Sequence, residues 1–289
     1  MKIEHMYTPL RKRLSRVLRG KLRAMTLSNH GMAVIAESKN GLLAVDPKDF
    51  GVAQALLARG SYDWSSICWL LKLLDATSHM VFVGAHIGAL LVPLAVRSGS
   101  RHIVAFEPAP RNHRLLRTNL ALNGLLDVTV HQLAVGASAG HILFTENPTN
   151  TGNSRISPSG EIVVQLITLD EALPQDWTHT DLLVMDTEGF EMRALQGAAR
   201  SLQQTRHLYV EYCPEQLAEQ GNKPVQFIEL VADQFQSMYL PRLGAEVRFF
   251  PAKTYVQHLL NIPERRGLLL NLLFTKDRAP IPRLLEGVV

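Results

Sequence analysis

Apolar and polar positions change rhythm several times along the 289-residue chain. Leu10, Leu14, Val17, Leu18 and Leu22 recur at helical spacing and predict an amphipathic helix. The apolar runs 32–36 and 42–45 flank Lys39-Asn40-Gly41 and predict a hairpin, with Asn-Gly supplying the positive φ angles of a tight turn. Residues 66–74 read as a short helix. From His79 onward the pattern becomes strand, turn and helix in alternation.

Strand-length apolar runs occupy 79–83, 101–106, 128–131, 182–185, 207–211 and 268–275. Helical patterns separate them: one running to about Arg97, then 110–123 with Leu115, Leu116, Leu120 and Leu122 as its inner face, 192–203 and 225–235. Residues 140–145 and 162–167 predict a hairpin insertion around a polar loop, Asn147 to Gly160. Such alternation predicts a doubly wound α/β fold, a mostly parallel sheet covered by helices on both faces. We expect residues 1–65 to form a helix and hairpin region and residues 66–289 the main domain. Ligands of such sheets bind beyond the carboxyl ends of the strands, where the strand order reverses.

With 46% hydrophobic and 19% charged residues, the chain has ample material for a core. No apolar run is long enough to span a bilayer, and no secretory leader pattern is visible. Cys68 and Cys213 suggest neither a disulfide framework nor a zinc set, so reduced thiols and a cytoplasmic location are expected. Seven basic residues between Arg11 and Arg23 have no acid among them; subtracting those seven from the net charge of +4 leaves −3 for the rest. This arm suits either a helix packed on the body or a weak membrane-surface contact. It carries no sign of base-edge readout, so no specific nucleic acid is expected.

Val83-Gly84-Ala85-His86-Ile87-Gly88 lies between a predicted strand and a predicted helix. Glycines there permit a sharp turn and close approach of a ligand, and the helix start offers free N–H groups. Glu107 ends the next strand, where a carboxylate can accept both hydroxyls of a ribose. Together these mark a nucleoside cofactor without choosing between a nicotinamide dinucleotide and S-adenosylmethionine.

A longer likeness bears on that choice. Residues 83–88, Ala105-Phe106-Glu107-Pro108-Ala109-Pro110, Asn119, Asn123-Gly124, Thr168-Leu169-Asp170 and Met185-Asp186-Thr187-Glu188-Gly189-Phe190-Glu191 resemble the FkbM family of methyltransferases. The resemblance implies a Rossmann-like methyltransferase domain, S-adenosylmethionine as cofactor, and a hydroxyl of a sugar or other small molecule as methyl acceptor. It also implies that Gly84, Ala85, His86 and Gly88 face the methionine portion of the cofactor. Glu107, with Pro108 beside it, would take the ribose; Gln132 to Val135, Gln132 and Ala134 among them, would border the adenine; Asp186 would lie at the transfer site. Two positions depart from the family: Phe82 stands where an acid is usual and His86 where an asparagine is usual.

An alcohol acceptor must lose a proton, and Asp186, Glu188, Glu211 and His86 are the candidate bases. The acids equally suit helix starts and sheet ends. Three carboxylates could hold a hard cation, but spacing alone does not establish one and no metal is assigned. A nicotinamide oxidoreductase is disfavoured because His86 occupies the middle of the glycine turn, where a pyrophosphate needs bare backbone. Phe82 motivates a third reading, a non-catalytic binding or scaffold protein.

Overall fold

The computed structural model describes residues 33–241, 247–262 and 267–285. The basic arm and Met32 lie outside them. Strands β1 (Val34–Ser38) and β2 (Gly41–Val45) form the expected hairpin. Its turn uses one positive φ, at Gly41, and Asn40 does not adopt one. The Asn40 side chain is instead fully buried, donating to the carbonyls of Tyr62 and Ala89 and accepting from the Tyr62 N–H. It fixes the segment between helices α1 (Val52–Arg59) and α2 (Trp64–Leu70). The division expected at residue 65 falls inside α2.

A βαβαβ unit follows: β3 (His79–Val83), α3 (Leu91–Ser98), β4 (His102–Phe106), α4 (Pro110–Leu122) and β5 (Thr129–His131). Pro110 suits the first turn of α4, where its missing N–H costs nothing. Leu116 and Leu120 are buried as expected, whereas Leu122 is exposed. Asn119 and Asn123 project from α4 onto the hairpin. Asn119 accepts from the Ala44 N–H and donates to the carbonyls of Ala44 and Ile87; Asn123 donates to the Leu42 carbonyl and accepts from the Leu42 N–H. Side-chain amides thus satisfy backbone groups of β2 that no neighbouring strand pairs.

Strands β6 (Ala134–Val135), β7 (Gly140–Thr145), β8 (Arg155–Ile156) and β9 (Ile162–Ile167) build a separate four-stranded sheet in the order β6-β9-β7-β8. Helix α5 (Leu169–Ala172) leads to β10 (Thr180–Met185). The single helix expected over 192–203 is two, α6 (Glu191–Gln196) and α7 (Ala199–Gln204). Between them Gly197 presses on the Gly136 carbonyl so closely that a Cβ would lie 2.0 Å from its oxygen. Then come β11 (Thr205–Tyr212), α8 (Pro214–Glu219), α9 (Pro224–Gln234), β12 (Ser237–Pro241), β13 (Val247–Pro251), α10 (Ala252–Leu260), β14 (Leu270–Thr275) and α11 (Pro282–Leu285).

The main sheet has the order β13-β12-β14-β11-β10-β3-β4-β5. Strands β5, β4, β3, β10 and β11 run parallel, and β14 returns antiparallel against β11. The order reverses between β3 and β10, which places the switch point beside Val83 and Met185. Period-two alternation splits the strands between two cores. Met80, Phe82, Leu182 and Val184 pack with α3 and the hairpin; Val81, Val83, Leu183 and Met185 pack with the helices after β10. The chain is therefore an α/β protein with the Rossmann-like, mostly parallel arrangement read from its pattern. No helix among the described residues is long and apolar enough to cross a membrane.

Candidate active site

The strand exits are tied together by backbone hydrogen bonds. The Gly84 and Ala85 N–H groups donate to the Phe106 carbonyl at 3.0 and 2.9 Å, Asp186 donates to Val83 at 3.0 Å, and Glu107 donates to His131 at 3.0 Å. Gly84 has φ +83, and a Cβ there would lie 1.7 Å from the Asp186 carbonyl oxygen, so only glycine lets β3 and β10 leave side by side.

A cleft of about 290 Å³ opens at this point. It gathers residues far apart in sequence: Tyr62 and Asp63, Phe82 and Gly84 to His86, Glu107 and Pro108, Leu133 and Ala134, Thr151 to Ser154, Asp186 to Glu188, Tyr209 and Glu211. Gly88 and Gln132 do not line it. Gly88 is glycine for another reason: its φ is +84 and a Cβ would meet Leu116 at 2.9 Å. Leu133, rather than Gln132, provides the wall before Ala134.

Among the described residues, the non-glycine residues with positive φ are Asp63, His86 and Glu188, and all three line the cleft. Left-handed backbone is unfavourable for side chains with a Cβ, and such strain persists where surrounding structure enforces it, commonly at functional sites. It aims these side chains inward from three separate segments.

Five carboxyl groups, Asp63, Glu107, Asp186, Glu188 and Glu211, share the cleft wall; among the described residues that line it none is lysine or arginine, and the charge of Arg155 acts on Glu188 from outside that lining. Glu107 is buried, accepting the His86 N–H at 2.7 Å and the Ala109 N–H at 3.0 Å. Burial still pushes its carboxyl up to about 7. Glu188 is also pushed up to about 7 by burial, against the opposing hydrogen bond from Gln216 Nε2 at 2.8 Å. Asp186 is open to the cleft, yet the cleft is deep. Enclosure by protein, then the charges of Glu188 and Glu191, hold its carboxyl well above the usual range. Glu211 is raised by burial and then by Asp186, and its Oε2 has no hydrogen-bond partner. Burial raises Asp63 too, despite the bond it accepts from Ser66 Oγ at 2.6 Å.

The Asp-x-Glu-Gly-x-Glu stretch divides its labour. Asp186 and Glu188 face the cleft, whereas Glu191 is buried and holds the turn, accepting from Thr187 N, Thr187 Oγ1 and Gly189 N. One oxygen from each of Asp186, Glu191 and Glu211 lies within 4.8 Å of the others, so the trio able to meet a hard cation contains Glu191 in place of Glu188. Asp170 is likewise structural, accepting from Arg200 N, Ser201 N and Ser201 Oγ at the start of α7.

The polar loop after β7 forms one wall. Thr151 Oγ1 lies 2.9 Å from His86 Nε2, and the Thr151 N–H donates to Asp49 Oδ1 at 3.2 Å. The His86 imidazole is buried enough to push its pKa well below the usual range. Leu133 belongs to the stretch read as bordering the adenine and Thr151 to the polar loop, whereas Asp63 carried no motif of its own in the sequence. The positive φ at Asp63 and the Asn40 clasp that places it are visible only in three dimensions.

The switch-point cleft, the buried acid that ends the second strand and the acidic rim sit on a Rossmann-like domain. The chain belongs to the FkbM methyltransferase family, whose domain matches residues 83–247. It is similar to Methyltransferase sdnD of Sordaria araneosa, 28% identical over 45% of this chain and 64% of that protein. It is also similar to Methyltransferase 1 of Beauveria bassiana, 25% identical over 45% of this chain and 62% of that protein. The match spans less than two thirds of either relative. Among solved structures, Methanocaldococcus jannaschii Trm5 in complex with adenosine aligns at 12% identity and TM-score 0.42, over 85% of this chain and 56% of that one, too distant to bear on function.

Proposed function

We propose that this chain is an S-adenosylmethionine-dependent methyltransferase that methylates a hydroxyl of a sugar or small natural product. The observation that carries the reading is the charge of the cleft: its described lining holds five carboxyls and no lysine or arginine. A ligand bearing a sulfonium and an ammonium complements such a wall, whereas a dinucleotide would bring a pyrophosphate into repulsion with it. Family membership and the glycine turn support the same choice.

When bound, S-adenosylmethionine supplies an electrophilic methyl group. The chain's own residues hold and orient. Glu107 would take the ribose hydroxyls on the lone pairs left free by His86 and Ala109. Leu133 and Ala134 would flank the adenine, and Gly84, Ala85, His86 and Pro108 would form the floor beneath the rest. Phe82 removes an acid from the strand end, and Asp63 offers a carboxylate from the same cleft wall. We assign Asp63 the ammonium group.

Asp186 would lie beside the reacting centre. Glu188, poised at about 7, is the best-matched base for an acceptor hydroxyl, because a base works best when its pKa is close to the working pH. His86 has another duty: its Nε2 meets Thr151, so it fastens the loop and is not available to take that proton. Excluding water and aligning the acceptor are worth several kcal/mol in such reactions.

Calorimetric titration with S-adenosylmethionine, S-adenosylhomocysteine and NAD tests the reading. Binding of the first two but not NAD is expected, and binding of NAD instead would overturn it. Binding of none would favour the non-catalytic scaffold that Phe82 suggests. Mass spectrometry of small hydroxylated acceptors after incubation with a labelled methyl donor then identifies the acceptor.

A further inference from the structure

At the opposite end of the sheet, three histidines meet. His79 begins β3, His102 begins β4, and His179 precedes Asp181 on β10. The His79 and His102 rings are parallel with centroids 4.4 Å apart, and His179 lies 4.1 Å from His79 on another side. Trp177 packs its edge on His79 at 4.9 Å and is anchored by its indole N–H to Thr180 Oγ1. Asp181 Oδ2 accepts the His79 backbone N–H at 2.8 Å and lies 3.7 Å from His179 Nε2. One nitrogen from each of His79 and His179 and one Asp181 oxygen fall within 4.8 Å of each other.

We propose that His79, His179 and Asp181 form a binding site for a divalent transition metal of the zinc class, separate from the cleft. Two imidazoles and a carboxylate form the donor set such ions favour, and imidazole selects them over magnesium or calcium. Metal–nitrogen bonds near 2.0–2.1 Å require donors roughly 3.3 Å apart. His179 is exposed and on the approach to β10, so rotation of its side chain supplies the contraction. Asp181 is already fixed by the backbone of β3. His79 Nδ1 lies 3.2 Å from the Thr77 carbonyl; a proton there leaves Nε2 as the ligating nitrogen, the second-sphere arrangement usual for metal-bound histidine. Trp177 closes the site on one flank. A bound ion would staple β3 to β10 at their amino ends, under the two strands whose other ends frame the cleft.

The test is Zn2+ titration of the untagged full chain, in competition with a chromophoric chelator. The wild type is expected to take up one equivalent, with affinity at least about tenfold lower in His179→Ala and unchanged in Asp186→Asn. Zn2+ should also raise the melting temperature of the wild type but not of His179→Ala, whose fold is checked by circular dichroism. No competition with the chelator, equal affinity in His179→Ala, or loss of binding in Asp186→Asn would each overturn the assignment. The last two outcomes would place zinc elsewhere.

Discussion

Thr151 Oγ1 lies 2.9 Å from His86 Nε2, joining a loop of the small sheet to the glycine turn of the large one. His86 holds this contact from a left-handed backbone. Thr151→Val keeps the shape and removes the hydroxyl. We expect KM for the cofactor to rise several-fold, with faster hydrogen exchange in residues 149–154. Unchanged exchange would show that the contact does not hold the loop.

Glu107 should govern cofactor affinity. Hydrogen bonds to a charged group contribute about 1.5–3 kcal/mol each, so Glu107→Ala should weaken S-adenosylmethionine binding by about tenfold or more. Calorimetry showing unaltered affinity would remove the ribose assignment.

Asp63 can be tested through ligand chemistry. Asp63→Asn should weaken S-adenosylhomocysteine binding by about tenfold. It should leave methylthioadenosine, which lacks the amino-acid portion, unaffected. Equal losses for both ligands would mean that Asp63 acts on the fold and not on the ammonium.

Asp186 faces the cleft, and among the described residues its side chain has no hydrogen-bond partner, so Asp186→Ala should stay folded while turnover falls about a hundredfold or more. An unchanged methylation rate would exclude it from the mechanism. Gly84→Ala is the structural counterpart. A methyl group forced against the Asp186 carbonyl at positive φ should cost at least about 2 kcal/mol, read as a lowered melting temperature.

The two glutamates raised from 4.5 to about 7, Glu107 and Glu188, give opposite pH dependences for fold and ligand. Between these values the native chain keeps protons that the unfolded chain has lost. That contribution is lost as pH rises through about 7, so the free protein should melt lower at pH 8 than at pH 6. A cationic ligand needs the carboxylates ionised, so affinity for S-adenosylmethionine should rise over the same interval. A flat affinity from pH 6 to 8 would contradict this.

The parallel strands were legible as short apolar runs, most of them closed by glycine or an acid, as in Phe82-Val83-Gly84 and Phe106-Glu107; β5 instead ends in His131-Gln132. β12, β13 and α10 were not read, since Pro241, Arg248 and Pro251 interrupt the apolar pattern of Ser237 to Leu260. The helix break at Gly197 depends on Gly136, a partner 61 residues away that no local pattern announces. In the site, Glu107 and Asp186 were legible as strand-end acids. Asp63 and Thr151 reach the cleft by long-range packing, through Asn40 and Asp49. Conversely, Asp170 and Glu191 belong to the family-like stretches but serve helix starts and turns.

Strand β14 sits between β11 and β12, both of which precede it in the chain. During translation the β12–β13 hairpin is made before the strand that attaches it to the sheet, and Leu269 and Asn271 of the cleft wall arrive with that strand. Until then the β11 backbone is an open edge able to pair with another nascent chain. Completion of the cleft wall and closure of that open edge therefore wait on the same strand.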